Sequence, residues 1–299
     1  MSVAGSGRMR LEVTGRIPAV SRHTVDREAV DKVKGMYLGN GRVLIGILGD
    51  VPLIVPGDDI SLTPMLAAKG VVEPGLTKYL INNIKPGMTA VDCGANVGYF
   101  SILLGHKVGE TGRVYAYEPN PRLAQFLEDN IRANYLKNHV IPIRKAAFSF
   151  PTELTFHVSR KYTSYSSLRP FSEQFSPDDE TEAITVQTET LDERLSEHRT
   201  VDFVKIDVEG AEYQVLLGLK GMIDRGAVDT IAFEYAPTVL RHDTEPMGQF
   251  LNSLGSEYDF CYADSDGSLK PLNLEWALKQ TFLHSIILKR KPMSGELRF

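Results

Sequence analysis

Cysteine is nearly absent from this chain: Cys93 and Cys261 are the only two among 299 residues. Two thiols so far apart make neither a metal-ligand spacing nor a disulfide framework. A reducing, cytoplasmic compartment is the expectation. A basic excess is absent too. The 33 lysines and arginines face 38 aspartates and glutamates, for a net charge of -5. Phosphate binding usually shows as a basic excess or a basic stripe, so a nucleic-acid partner is not expected. The densest basic cluster, Lys289 to Lys291, follows an apolar run and reads as a solvated strand end. No apolar run approaches the ~20 residues of a spanning helix. The first residues, MSVAGSGRMR, have no apolar core and do not read as a secretory signal. Trp276 stands alone and reads as core or interface. What the chain does have is 42% apolar content, enough for one large domain or a domain with an extension.

Residues 1 to 30 are polar and read as an arm. RVLIGILGDVPLIV (42 to 55) reads as a hairpin around Gly49-Asp50. Helices are expected near 62 to 70 and over 73 to 84, where Leu76, Leu80 and Ile84 recur at helical spacing. From residue 86 strands and helices alternate. Strands are expected at 89–94, 113–119, 139–148, 201–210 and 230–237, with helices at 97–108, 121–136 and 211–223. This rhythm argues for an α/β fold with a mainly parallel sheet. Strands at 258–263 and 282–291 have no helix between them and predict an antiparallel edge pair. The division expected is 1–85 for the arm, hairpin and helices, and 86–299 for the main domain. The segment 162–183 is polar and turn-rich, and its tyrosines and serines suit either a sugar face or a plain surface loop.

VDCGANVGYF (91 to 100) carries the sharpest signal. An apolar strand ends in Asp92, and Gly94, Asn96 and Gly98 follow before a helix. A strand, a glycine turn and a helix N-terminus can hold a ligand with polar groups, or simply make the turn. The nicotinamide fingerprint G-x-G-x-x-G is not met, because Asn96 stands where its middle glycine would be. This opposes a NAD-dependent oxidoreductase. Glu118 ends the next strand, 26 residues after Asp92, where an acid can accept hydrogen bonds from ribose hydroxyls.

Together, D-x-G-x-N-x-G and the strand-terminal Y-E-P resemble the S-adenosylmethionine-dependent methyltransferases. A longer series narrows this: G-V-V-E-P (70–74), V-D-C-G-A-N-V-G-Y-F-S (91–101), A-Y-E-P-N-P (116–121), K-A-A-F-S (145–149), E-T-L-D (189–192) and V-K-I-D-V-E-G-A-E (204–212). In that order they resemble the FkbM-like methyltransferases, over roughly residues 70 to 220. The resemblance implies a Rossmann-like methyltransferase fold, S-adenosylmethionine as cofactor, and methylation of hydroxyls, often on sugars or glycosylated natural products. It implies that Asp92, Gly94, Asn96 and Gly98 surround the methionine part of the cofactor and that Glu118 holds the ribose. Ala146 and Ala147 would edge the adenine. Glu73 is expected near the cofactor's amino group, or as an acid favoured by a helix dipole.

A sugar hydroxyl is a poor nucleophile and needs a base or a metal to lower its pKa during attack. Asp207, Glu209 and His242 are the catalytic candidates. Asp207 and Glu234 would be the ligands if a magnesium ion is used; in the alternative, Asp207 and Glu209 only orient hydroxyls and the cofactor amine. Among the other histidines, His284 lies on the last strand, His157 in an alternating strand and His106 near a helix end. Cys93 is either a nucleophile or a packed thiol. The expected partner is a sugar or glycan acceptor. A polyketide or lipid-linked acceptor, and a non-catalytic module that keeps the fold, are the alternatives. A nucleic-acid methyltransferase of the amino-methylating kind would carry D/N-P-P-Y where this chain has Asp207-Val208-Glu209-Gly210. The arm and hairpin are candidates for a homodimer contact or a substrate cover.

Overall fold

The computed structural model describes residues 35–168 and 181–292. The expected N-terminal arm and the middle of the 162–183 loop lie outside the described residues. Strands β1 (Gly35–Gly39), β2 (Arg42–Ile47) and β3 (Val51–Pro56) form an antiparallel sheet with β2 in the centre. The β2–β3 pair is the expected hairpin. β1 is an addition: GMYLG is exposed along most of its length and has no buried alternation to mark it. Helices Leu62–Lys69 and Pro74–Asn83 follow. Gly70 caps the first in the left-handed region at φ 67°, and Pro74 opens the second with a φ already suited to a helix.

In chain order come β4 (Thr89–Cys93), β5 (Arg113–Tyr117), β6 (Val140–Ile143), β7 (Ala146–Ala147), β8 (Glu153–Ser159), β9 (Thr181–Glu189) and β10 (Val201–Ile206). Then come β11 (Val228–Tyr235), β12 (Tyr258–Ala263), β13 (Leu269–Pro271) and β14 (Leu283–Arg290). Eight of them make the main sheet, in the order β13-β12-β14-β11-β10-β4-β5-β6. From β11 to β6 the strands are parallel, and β14, β12 and β13 are antiparallel to their neighbours. The expected α/β fold is present. The expected edge pair is corrected in one respect: β12 and β14 do pair, but β14 lies inside the sheet and β13 forms that edge. The strand expected over 139–148 is two strands in two sheets, because β7 leaves the main sheet to pair with β9.

Both faces of the sheet are covered, so its central strands read as continuous apolar runs. Alternate residues of β10 enter opposite cores: Phe203 joins one, Val204 and Ile206 the other. The first core also takes Ile45, Ile47, Leu53 and Val55 from the small sheet, against Leu104 and Leu127. Asn130 ties the two parts together. Its amide accepts from the Ile54 N–H at 2.6 Å and donates to the carbonyls of Ile54 at 2.8 Å and Val97 at 2.7 Å. The main sheet begins at Thr89, and packing joins the segments before and after residue 85.

The order of strands reverses between β4 and β10. In open α/β sheets a ligand lies at that reversal, outside the carboxyl ends of the strands. The glycine turn leaves β4 at this point.

Candidate active site

The turn after β4 is shaped by its neighbours first. A Cβ on Gly94 would lie 1.8 Å from the Asp207 carbonyl oxygen, and the residue sits at φ 81°. Only glycine lets β10 come that close, since both the contact and the dihedral exclude a side chain. Gly98, at φ 99°, starts the helix Tyr99–Val108 against Leu127. Asn96 takes φ 53°, which asparagine tolerates better than most residues. Its side chain accepts from the Val97 N–H at 2.8 Å and donates to the Thr163 carbonyl at 3.3 Å.

Beside this turn opens a cavity of about 810 Å³. Of the residues expected at a site, Glu73, Gly94, Asn96, Glu118, Ala146 and Ala147 line it, with Asp207, Glu209 and Glu234. Three expectations need correction. Asp92 is 1% exposed and stands behind the wall, where it accepts the Ser101 hydroxyl at 2.6 Å through Oδ2 while Oδ1 has no hydrogen bond. Gly98 is not on the lining. His242 is not brought in either: its side chain is 79% exposed, with Asp243 at 3.6 Å. His284, at the end of β14 nearest the site, lines the cavity instead, beside Phe282. Cys93 is fully buried and burial pushes its thiol well above the ordinary range, so it packs. Trp276, expected in a core or interface, is half exposed and stands apart from the cavity.

Glu118 accepts from the backbone N–H groups of Asn96 and Asn120, both at 2.8 Å. Burial pushes its carboxyl up to about 7, against the pull of those two bonds. At the ends of β10 and β11, Asp207, Glu209 and Glu234 bring one carboxylate oxygen each within 4.8 Å of the others. Burial, and then the Asp207 charge, hold both Glu209 and Glu234 above the usual carboxylate range. The turn that carries Glu209 is fixed from below. Glu212, 2% exposed, accepts from the N–H groups of Val208 and Gly210 at 3.1 Å. Gly210, at φ 98°, passes so close to Val239 that a Cβ would meet its carbonyl at 2.8 Å.

Sequence reasoning missed several groups here. Lys205 lines the cavity and is 3% exposed. Its ammonium donates to Asp207 Oδ2 at 2.8 Å and lies 4.8 Å from the Phe100 ring centroid. Burial alone would lower its pKa; Asp207, Asp92 and Glu73 outweigh burial and raise it. The signal was present: residues i and i+2 of a strand share a face, so the lysine of V-K-I-D travels with Asp207. Asp59 was missed as well. It is 3% exposed, and its carboxylate accepts from Ser61, Thr63 and Thr163. This clasp holds residues 61 to 65 against 163 and 164, and the two segments form one wall of the cavity. Nothing local marks an aspartate whose partner is a hundred residues away.

Four non-glycine residues on the lining, Glu73, Asn96, Glu209 and Arg241, have φ between 38° and 54°. Such backbone costs of order 1–3 kcal/mol per residue and gathers at functional sites. The residues fit a nucleoside carrying an amino acid. Glu118 retains lone pairs for hydroxyl donors, Ala146 and Ala147 put only small side chains on the lining, and the volume suits a ligand of that size.

The chain is similar to several known proteins. A protein-L-isoaspartate O-methyltransferase of Aeropyrum pernix is 24% identical over 202 residues, covering 60% of this chain and 78% of that protein. Among solved structures, a putative rRNA methylase from Clostridium thermocellum aligns with a TM-score of 0.43 at 11% identity, over 72% of this chain and 95% of that one. A SAM-dependent O-methyltransferase from Thermotoga maritima aligns with a TM-score of 0.37 at 17% identity, over 89% and 88%. The methyltransferase FkbM domain matches residues 92–258, more than half of the chain, and the glycine turn, the Glu118 corner and the β10 acids all fall within that span. The chain therefore belongs to the FkbM methyltransferase family, which makes it a methyltransferase that works with S-adenosylmethionine.

Proposed function

We propose that this enzyme methylates a hydroxyl of a sugar, an oligosaccharide or a glycosylated metabolite. The observation that carries the reading is the meeting of Asp207, Glu209 and Glu234 on the wall of the cavity. S-adenosylmethionine, when bound, supplies an electrophilic methyl group on a sulfonium. Methylation of a hydroxyl would release its proton, and a side chain of this site would have to take it. Glu209 and Glu234 suit that proton, because burial, and then the Asp207 charge, make each of them, once ionised, a stronger base than an exposed carboxylate.

A second reading is favoured by the same distances. Three carboxylate oxygens within 4.8 Å of one another are a donor set that suits a hard divalent cation such as magnesium. In that case Asp207 and Glu234, with Glu209, would hold the ion, and the Asp207 carboxylate would be shared with Lys205.

Labelled methyl transfer to a panel of neutral glycans, with magnesium or with EDTA, tests both. Transfer to glycans that falls ~100-fold or more in Glu209→Gln or Glu234→Gln, but not in His242→Ala, is the expected result. Loss of transfer in EDTA, restored by magnesium, would select the metal-assisted form. Transfer to isoaspartyl peptides with none to glycans would overturn the proposal.

A further inference from the structure

The glycine turn has no backbone donor to spare. Gly94 and Ala95 both donate to the Tyr117 carbonyl, Asn96 to Glu118, Val97 to the Asn96 side chain, and Gly98 to the Ala95 carbonyl. The α-carboxylate of S-adenosylmethionine therefore needs a partner other than those N–H groups. Cations are few on the cavity wall. Lys69, Arg241 and His284 stand exposed at its rim, and Lys205 is the one buried cation among the described lining residues.

Lys205 is also well placed. Its neighbours Asp92 and Asp207 flank the start of the turn, and Phe100 closes over its ammonium. Of its three N–H donors, the one described hydrogen bond goes to Asp207. Glu73, just before helix Pro74–Asn83, lines the same cavity and lies close enough to Lys205 for their charges to interact. Glu73 accepts the Ser285 hydroxyl at 2.6 Å through Oε2, and Oε1 has no described hydrogen bond. Its backbone is held at φ 38°. A buried lysine and a half-buried carboxylate thus line the same cavity, and an amino-acid zwitterion carries the opposite pair of charges.

We propose that Lys205 takes the α-carboxylate of the cofactor, opposite the α-ammonium that the family resemblance already sets near Glu73. This rests on the cofactor and not on the choice of acceptor. Asp207 keeps its bond to Lys205, so the cofactor and the acceptor acids are linked through one ammonium.

Calorimetric titration with three ligands tests it: S-adenosylhomocysteine, its decarboxylated analogue, and 5′-methylthioadenosine, which lacks both charges. In the wild type, loss of the carboxylate should weaken binding about 10- to 100-fold, the scale of a charge-assisted hydrogen bond in a closed site. In Lys205→Met the homocysteine and its decarboxylated analogue should bind alike. In Glu73→Gln the decarboxylated analogue and methylthioadenosine should bind alike. A general loosening weakens all three ligands equally and leaves their ratios as in the wild type; that result overturns the proposal. So does a wild type that binds the decarboxylated analogue as tightly as S-adenosylhomocysteine. Lys205→Gln, which keeps a donor in place, gives the same comparison if Lys205→Met does not fold. A wild type that binds none of the three overturns the cofactor assignment and this inference with it.

Discussion

Glu118 holds two backbone N–H groups in a site where burial raises its carboxyl to about 7. Ribose hydroxyls donate to the ionised form, so cofactor binding should draw the proton off. The sign follows: below pH 7 the carboxyl must first ionise, and affinity for S-adenosylhomocysteine should rise with pH until about 7 and then level. The slope should approach tenfold per pH unit, as one proton is released. Titration in buffers of different ionisation enthalpy checks both the affinity and the proton count. At this scale much was legible. Glu118, Asn96, Asp207, Glu209 and Glu234 could be named because each ends a strand or sits in a turn with an odd backbone. Gly94 was legible as a residue but not as a reason, since the group that approaches it is the β10 backbone. Asp92 was misplaced because a strand-terminal acid points to either face of the wall, and the sequence does not say which.

Elements were legible where their periodicity is local. Helix Pro121–Ala133, with its stripe of Leu123, Phe126, Leu127 and Ile131, begins at the expected proline. The antiparallel strand β8 was legible from its alternation, but the β7–β9 pairing was not, because it joins residues some forty apart and β7 is two residues long. Glu189 fixes the sheet β7-β9-β8 to the main one. It accepts from Arg194 twice, at 2.7 and 2.9 Å, from Lys145 at 2.7 Å and from the Tyr117 hydroxyl at 2.8 Å. Although burial opposes it, these donors hold its carboxyl down at about 2. An acid lowered on folding adds stability above its unfolded pKa and loses it as pH falls toward the folded value. Glu189→Gln should therefore cost roughly 3 kcal/mol at pH 7, and the difference should vanish toward pH 2. Urea unfolding at pH 7, 4.5 and 3 measures that convergence.

Across the whole molecule, the segment that follows the small sheet, the turn after β8 and the main domain meet around one cavity. The Asp59 clasp is the cross-chain tie, with Thr163 donating twice at 3.0 Å. Asp59→Ala leaves several buried donors without an acceptor. It should lower stability by roughly 2–4 kcal/mol and weaken S-adenosylhomocysteine binding several-fold, since Thr163 also receives the Asn96 amide. Urea unfolding and calorimetry report the two effects separately; unchanged ligand affinity would show that the clasp serves the fold alone. The overall α/β plan was legible from the alternation of strands and helices, whereas the position of the last strand was not. Adjacent strands in sequence are the natural guess for adjacent strands in space, and β14 instead enters between β11 and β12.

That insertion has a consequence for synthesis on the ribosome. Ile286, Ile287 and Leu288 are wholly enclosed, and Ser285 on the same strand holds Glu73 at the cavity. Until residue 290 has cleared the exit tunnel, β11 and β12 have no strand between them and Glu73 has no Ser285. A nascent chain stalled earlier should expose an open strand edge to chaperones and fail to retain the cofactor, however complete its glycine turn.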